Sequence, residues 1–224
     1  MSIRLPTHLH LMVGSTGHGM EAELAAARQV IRHPPAERGS IQVLLDEHPD
    51  ERLNIALVDG RFGDVLSVGH KELLYALDRG CRVWGLGSMG ALRAAELHSF
   101  GMLGYGQVFS HLRDTMAPDD EVAVLHGPAP SYRPVTEALV DLRELLTIWG
   151  SQQLVTRRQA AQIMNQLSAT WFGHRSLAHL IDLARRLRKD ESADRLRAAL
   201  PAPRRYRVKS RDLTAFLKEE PWLQ

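Results

Sequence analysis

The sequence predicts an α/β protein, with a mostly parallel sheet flanked by helices in the N-terminal part and a helical C-terminal part after it. Two observations carry this. Between about His8 and Leu125, short apolar runs of strand length alternate with amphipathic stretches of helix length, as in strands joined by crossover helices. Beyond Pro128 and Pro130 the strand-like runs stop and helical signals take over. Residues 1–130 are therefore expected to form the α/β core, and residues 131–224 a helical region.

Each element has its own signal. His8 to Val13 reads as the first strand, and Met20 to Arg32 as a helix halted by Pro34 and Pro35. Ile41 to Leu45 is a short apolar run read as a strand. Leu53 to Val58 is a further buried strand, ended by Asp59-Gly60. Ser67 then introduces a helix with apolar positions at Val68, Leu73, Leu74 and Leu77, closed by Gly80. Cys81 to Trp84 reads as a strand, Gly85 to Gly90 as a tight turn, and Ala91 to Leu97 as a helix of good helix formers. Glu121 to Leu125 looks like another buried strand, ending at His126-Gly127. In the C-terminal part, Pro134 opens a helix through Trp149 closed by Gly150. Thr156 and Gln159 form a capping box for a helix reaching Phe172, and Ser176 starts another through Leu187. A short helix precedes Pro201, and a last one runs from Arg211 to Glu219.

Composition narrows the class. A chain of 224 residues with 44% hydrophobic content can bury a substantial core. Neither a signal peptide nor a run long enough to span a membrane is visible, which predicts a soluble cytoplasmic protein with no membrane role. Cys81 is the single cysteine, so an intramolecular disulfide and a cysteine-based zinc site are both excluded. Its place at the start of an apolar strand predicts a buried structural thiol rather than a persulfide carrier.

The turn after Cys81 to Trp84 is where chemistry concentrates. It puts Ser88 between a strand and a helix, and Gly85, Gly87 and Gly90 let the backbone approach a ligand closely. The first amides of the helix, Met89 foremost, point at whatever lies over Ser88, so the turn outlines an anion or oxyanion site. Its glycines also spell G-x-G-x-x-G, but Gly104-Tyr105-Gly106 stand where a dinucleotide fold places its acidic residue. Only half of a G-x-S-x-G elbow is present, because Leu86 stands two before Ser88. From the turn alone, Ser88 reads equally well as a helix cap and as a nucleophile.

The unit just upstream adds a partner. Strand, helix and strand from Leu53 to Trp84 form a right-handed crossover, which brings the starts of both following helices to one sheet edge. Lys71, in the first turn of one helix, can therefore converge with Ser88 at the start of the next. A lysine is out of place there on structural grounds, since a helix N-terminus favours acids. With partial burial the same positive end would favour the neutral amine that a general base requires, and Ser–Lys pairs are a recognised hydrolase arrangement.

Other candidates carry bland readings beside functional ones. His126, at an expected strand end, rivals Lys71 as base, against a histidine satisfied within a turn. Asp59 could orient Lys71 or cap its own turn. His8 and His10 share a strand face but lack a third ligand, so no metal site is expected. Arg93 and Glu96 stand three apart and should form an ordinary ion pair. The Gly14 to Gly19 loop mimics a P-loop, but Met20 and Glu21 occupy the positions that need a lysine and a hydroxyl.

Four stretches, DGRFGDV (Asp59 to Val65), HKELLYAL (His70 to Leu77), GSMGALRAAEL (Gly87 to Leu97) and DDEVAVLHGP (Asp119 to Pro128), resemble the TfuA family in order and spacing. The resemblance spans roughly Asp59 to Pro134. It implies a partner of YcaO-type enzymes, which replace a peptide backbone amide oxygen with sulfur. It further implies a cofactor-free hydrolase that uses a Ser–Lys pair to release sulfide from the thiocarboxylated C-terminus of a ThiS-like carrier protein. Such a protein would also help the YcaO enzyme engage its precursor peptide. By position the pair maps onto Ser88 and Lys71, with Met89, Gly87, Gly90, Asp59 and His126 as oxyanion or supporting residues. Members follow their first strand with Gly-Pro-Ser, whereas Val13 here leads into Gly14-Ser15-Thr16, so no role passes to Ser15. The rival reading is a non-catalytic adaptor that docks a YcaO enzyme on its peptide.

Charge is divided unevenly along the chain. Residues 185 to 211 hold 11 basic and 3 acidic side chains, a net of +8, whereas residues 1 to 184 hold 16 and 20, a net of −4. Arg204, Arg205, Arg207 and Lys209 could steer an acidic protein partner, the bland reading being a solvated helical face. Only Tyr206 interleaves with them, which argues against nucleic acid.

Overall fold

A computed structural model of the chain describes residues 7–61, 63, 65–188 and 193–224. These form two compact units: residues up to Ala117 together with Asp212–Gln224, and Pro118–Arg211. The C-terminal segment thus rejoins the α/β unit, and the division falls before Pro118 instead of near residue 130.

The first unit is built on a five-stranded, wholly parallel sheet. Its elements alternate: β1 (Leu9–Met12), α1 (Glu21–Ala26), β2 (Val30–His33), α2 (Ser40–Glu47), β3 (Asn54–Leu57), α3 (His70–Asp78), β4 (Arg82–Gly85), α4 (Met89–Leu97), β5 (Leu103–Gly104) and α5 (Gly106–Thr115). The strand order is β2-β1-β3-β4-β5. β1 and β3 are buried at every position because helices cover both faces of a parallel sheet. In register, Leu9 and Leu11 lie beside Asn54 and Ala56, and His10 beside Ile55. One face packs Leu9, Leu11 and Ala56 against Leu213, Phe216, Leu217 and Trp222 from the C-terminal segment. Asp212 anchors that segment by accepting the Gln107 and Val108 amides at the start of α5, at 3.0 and 2.9 Å.

Several sequence expectations are corrected. Ile41 to Leu45 lies in α2, not in a strand, with Ile41, Leu44 and Leu45 buried at helical spacing and Val43 58% exposed. The stretch from Met20 to Arg32 is not one helix: α1 stops at Ala26, and the chain turns into edge strand β2. The helix after Ser67 begins only at His70, with Gly69 as its cap, while the Ser67 hydroxyl donates to the Arg61 carbonyl. Glu121 to Leu125 is not a strand. Asp119–Glu121 makes a 3₁₀ turn, and the Leu125 amide donates to Thr136 Oγ1 at 2.8 Å.

The second unit is helical: α6 (Leu139–Ser151), α7 (Arg157–Ser168), α8 (Leu177–Arg188), α9 (Ala193–Ala198), the short α10 (Pro203–Tyr206) and the start of α11 (Val208–Glu219). Leu142, Leu145, Trp149, Ile163, Leu167, Leu180 and Tyr206 form its core. The Thr156–Gln159 capping box opens α7. α6 starts at Leu139 instead of Pro134, and Gly150 lies inside it instead of closing it. Arg175, fully buried, donates to the carbonyls of Leu167, Thr170 and Asp120 and to the Asp120 carboxylate.

A histidine cluster makes the first unit sensitive to acid. His10 Nδ1 and His33 Nε2 lie 3.0 Å apart, and His48 meets the His10 ring edge-on. Burial, and then the neighbouring His33, His48 and His8, hold His10 down to about 4 from its ordinary 6.5. The folded protein therefore binds this proton less readily than the unfolded chain. Stability is fully present above pH 6.5 and falls as pH drops toward 4, by on the order of 3 kcal/mol. Denaturant unfolding of wild type and His10→Gln between pH 7.5 and 4 checks this, and equal pH slopes for the two proteins would refute it.

Candidate active site

The carboxyl edge of the sheet gathers the turns that follow β1, β3 and β4, three neighbouring strands. Asp59, after β3, is 3% exposed and spends its carboxylate on the loop after β1. Oδ2 accepts the Gly14 and Thr16 amides at 2.8 and 2.9 Å, and Oδ1 accepts the Thr16 hydroxyl at 2.7 Å. Asp59 therefore pins the glycine-rich loop, not Lys71. Gly60 lies against Met89, since a Cβ there would fall 2.7 Å from Met89 Cγ.

The Ser88 turn is seated on the same strand end. The Ser88 and Gly90 amides both donate to the Val58 carbonyl, at 3.2 and 3.1 Å. Gly87 takes φ +70°, a left-handed conformation that favours glycine. Gly90 approaches β3 so closely that a Cβ would lie 1.7 Å from the Leu57 carbonyl oxygen. Ser88 is 9% exposed and occupies the N-cap position of α4, yet its side chain makes no capping hydrogen bond. Because Val58 takes up the Ser88 and Gly90 amides, Met89 holds the candidate oxyanion donor of this turn.

Lys71 stands in the first turn of α3 and is exposed, so the partial burial expected of it is absent. It lines an open cavity of about 570 Å³ with Arg38, His70, Glu72 and Arg93; Ser88 is not in that lining. The expected Arg93–Glu96 pair is present at 2.6 Å, and His70 Nε2 shares the same carboxylate oxygen at 2.7 Å. Glu72 binds the Gly69 amide at 2.8 Å and the Gly39 and Ile41 amides at 3.1 Å. Sequence reasoning overlooked Arg38 and Glu72. Glu72 stands three residues after Gly69, the capping-box spacing, and was findable; Arg38, beyond two prolines, carried no signal.

The remaining candidates lie in the second unit. His126 sits in an irregular bridge with Pro134, its Nδ1 2.8 Å from the Gly127 carbonyl and its ring edge-on to Tyr132. Arg204 and Arg205 are exposed. Arg207 and Lys209, expected on the same basic face, turn inward. Arg207 pairs with Glu137 at 2.8 Å, and Lys209, 4% exposed, donates from Nζ to the Val122 carbonyl at 3.0 Å. Burial beside these groups pushes Asp141 up to about 6, against the pull of Lys209. Lys189 to Ser192, in the basic segment, lie outside the described residues. Among the described residues, no group of three or more His, Cys, Asp or Glu could hold a metal, and no helix is long and apolar enough to cross a membrane.

A family model described as TfuA-like protein matches residues 59–176, more than half of the chain. The chain belongs to the TfuA-like family. The match begins at the aspartate that pins the glycine-rich loop, contains the Ser88 turn and Lys71, and ends one residue after Arg175. Among curated proteins, no match to the chain is found.

Proposed function

We propose that this TfuA-like protein hydrolyses the thiocarboxylated C-terminus of a ThiS-like sulfur carrier, releasing sulfide for a YcaO-type enzyme that thioamidates a peptide backbone, and that it helps this partner engage the peptide. The observation that carries the reading is Ser88: a hydroxyl at a strand-to-helix turn that does not cap its helix. Family membership supplies the context.

In this scheme Ser88 Oγ attacks the terminal thiocarboxyl carbon, and the Oγ proton passes to Lys71. The Met89 N–H holds the oxyanion. The C–S bond breaks and sulfide departs with the electron pair and a proton. Water then cleaves the acyl-enzyme, regenerating Ser88 and leaving a carboxylate on the carrier.

Sulfide release from a thiocarboxylated carrier tests this. Ser88→Ala should fold normally and lose release by about a thousandfold or more, and adding Lys71→Met should cost no more, because the two groups act as a unit. Full release by folded Ser88→Ala would end the hydrolase reading and leave the adaptor.

A further inference from the structure

The cavity at the start of α3 carries a charge balance that the fold itself does not use. Its lining includes three cations, Arg38, Lys71 and Arg93, and one anion, Glu72. Arg93 is neutralised by Glu96, which also takes His70. Glu72 is engaged by the Gly39, Ile41 and Gly69 amides. Arg38 and Lys71 remain, both exposed and neither in an ion pair among the described residues. Both stand at the positive end of α3. Lys71 is its second residue, and the Arg38 guanidinium carbon lies 3.8 Å from where a Cβ on Gly69 would be. Cations at a helix N-terminus are electrostatically adverse; both line the open cavity beside the amide-bound Glu72, and Arg38 Nε donates to the Ser67 carbonyl at 3.4 Å. Arg38 and Lys71 against Glu72 leave the cavity at net +1.

We propose that this cavity binds a monoanionic, carboxylate-type group between the Arg38 guanidinium and the protonated Lys71 ammonium. A planar carboxylate fits the guanidinium fork, and a single negative charge brings the cavity to neutrality. A dianion would set surplus charge against Glu72. The cavity volume of about 570 Å³ also exceeds what a bare anion fills, so the charged group is the end of a larger ligand. The inference rests on the cavity and not on sulfide release. Anion binding requires Lys71 charged, whereas general-base work requires it neutral, and Lys71→Arg separates the two because arginine stays charged.

Amide ¹H–¹⁵N shifts of the full chain, titrated with N-acetylglycinate, neutral N-acetylglycinamide and inorganic phosphate, test the assignment. N-acetylglycinate should give saturable shifts centred on Gly39, Gly69 and Lys71, and the neutral amide none. Arg38→Gln should weaken binding about tenfold or more, with Arg38→Lys intermediate. Lys71→Arg should keep binding and Lys71→Met lose it. Failure to saturate, equal binding of the neutral amide, tighter binding of phosphate, or unchanged affinity in Arg38→Gln would each overturn the proposal. Binding that persists in a wild-type protein unable to release sulfide would overturn the hydrolase reading and leave this one standing.

Discussion

Gly90→Ala is expected to destabilise the first unit by about 3 kcal/mol or more, because overpacking here is met by backbone and not by a side chain that can rotate away. The added Cβ would lie 1.7 Å from the Leu57 oxygen and 2.5 Å from the Leu57 carbon, so either α4 lifts or β3 shifts. Lifting α4 breaks the Gly90 and Ser88 amide bonds to Val58 and displaces the Ser88 turn as well. Thermal unfolding should move down by about 10 °C for a chain of this size. Gly150→Ala is the control: it also lies in a helix, but nothing lies within 4 Å of its Cβ, so its midpoint should hold or rise slightly. A wild-type midpoint for Gly90→Ala would mean that α4 is not seated on β3 as described.

That close seating explains how much was legible in the sequence. The crossover from β3 through α3 to β4 and α4 was readable because its strands are apolar runs bounded by Asp59-Gly60, Gly80 and the Gly85 to Gly90 turn. Where punctuation is missing, the reading failed. No glycine or proline separates α1 from β2, so Val30 to Arg32, most of β2, was absorbed into a helix. Ile41 to Leu45 is too short for apolar run length to decide between strand and helix. The exposed Val43 between buried Ile41 and Leu44 carried the helical period, but only burial makes it visible.

The candidate site was legible unevenly for a related reason. Ser88, Gly87 and Gly90 announce a tight strand-to-helix turn through local residue types alone. The partners of Asp59 could not be read, because Gly14 and Thr16 lie more than forty residues away on a neighbouring strand's loop. Arg207 and Lys209 failed for the opposite reason: a dense run of positive charge looks solvated, yet Glu137 and the Val122 carbonyl draw these two inward. Of the four, Arg204 and Arg205 are the pair that stays exposed.

Arg175→Met is expected to destabilise the second unit by about 3–5 kcal/mol, the cost of breaking a buried charge network from one side. Arg175 has no exposed surface, and its guanidinium is the shared donor for four backbone carbonyls and one carboxylate. Methionine fills much of the volume but leaves the Leu167, Thr170 and Asp120 carbonyls without that donor. Asp120, 32% exposed at its side chain, can recover water, so most of the loss comes from the carbonyls. Arg175→Lys should therefore fare little better: it keeps the charge, but one ammonium cannot span donors aimed at Leu167 on one side and Asp120 on the other. Asp120→Asn alone should cost less than either. Denaturant unfolding of the three variants checks the order, and an Arg175→Lys protein as stable as wild type would show that charge, not fork geometry, holds Asp120 to the helices.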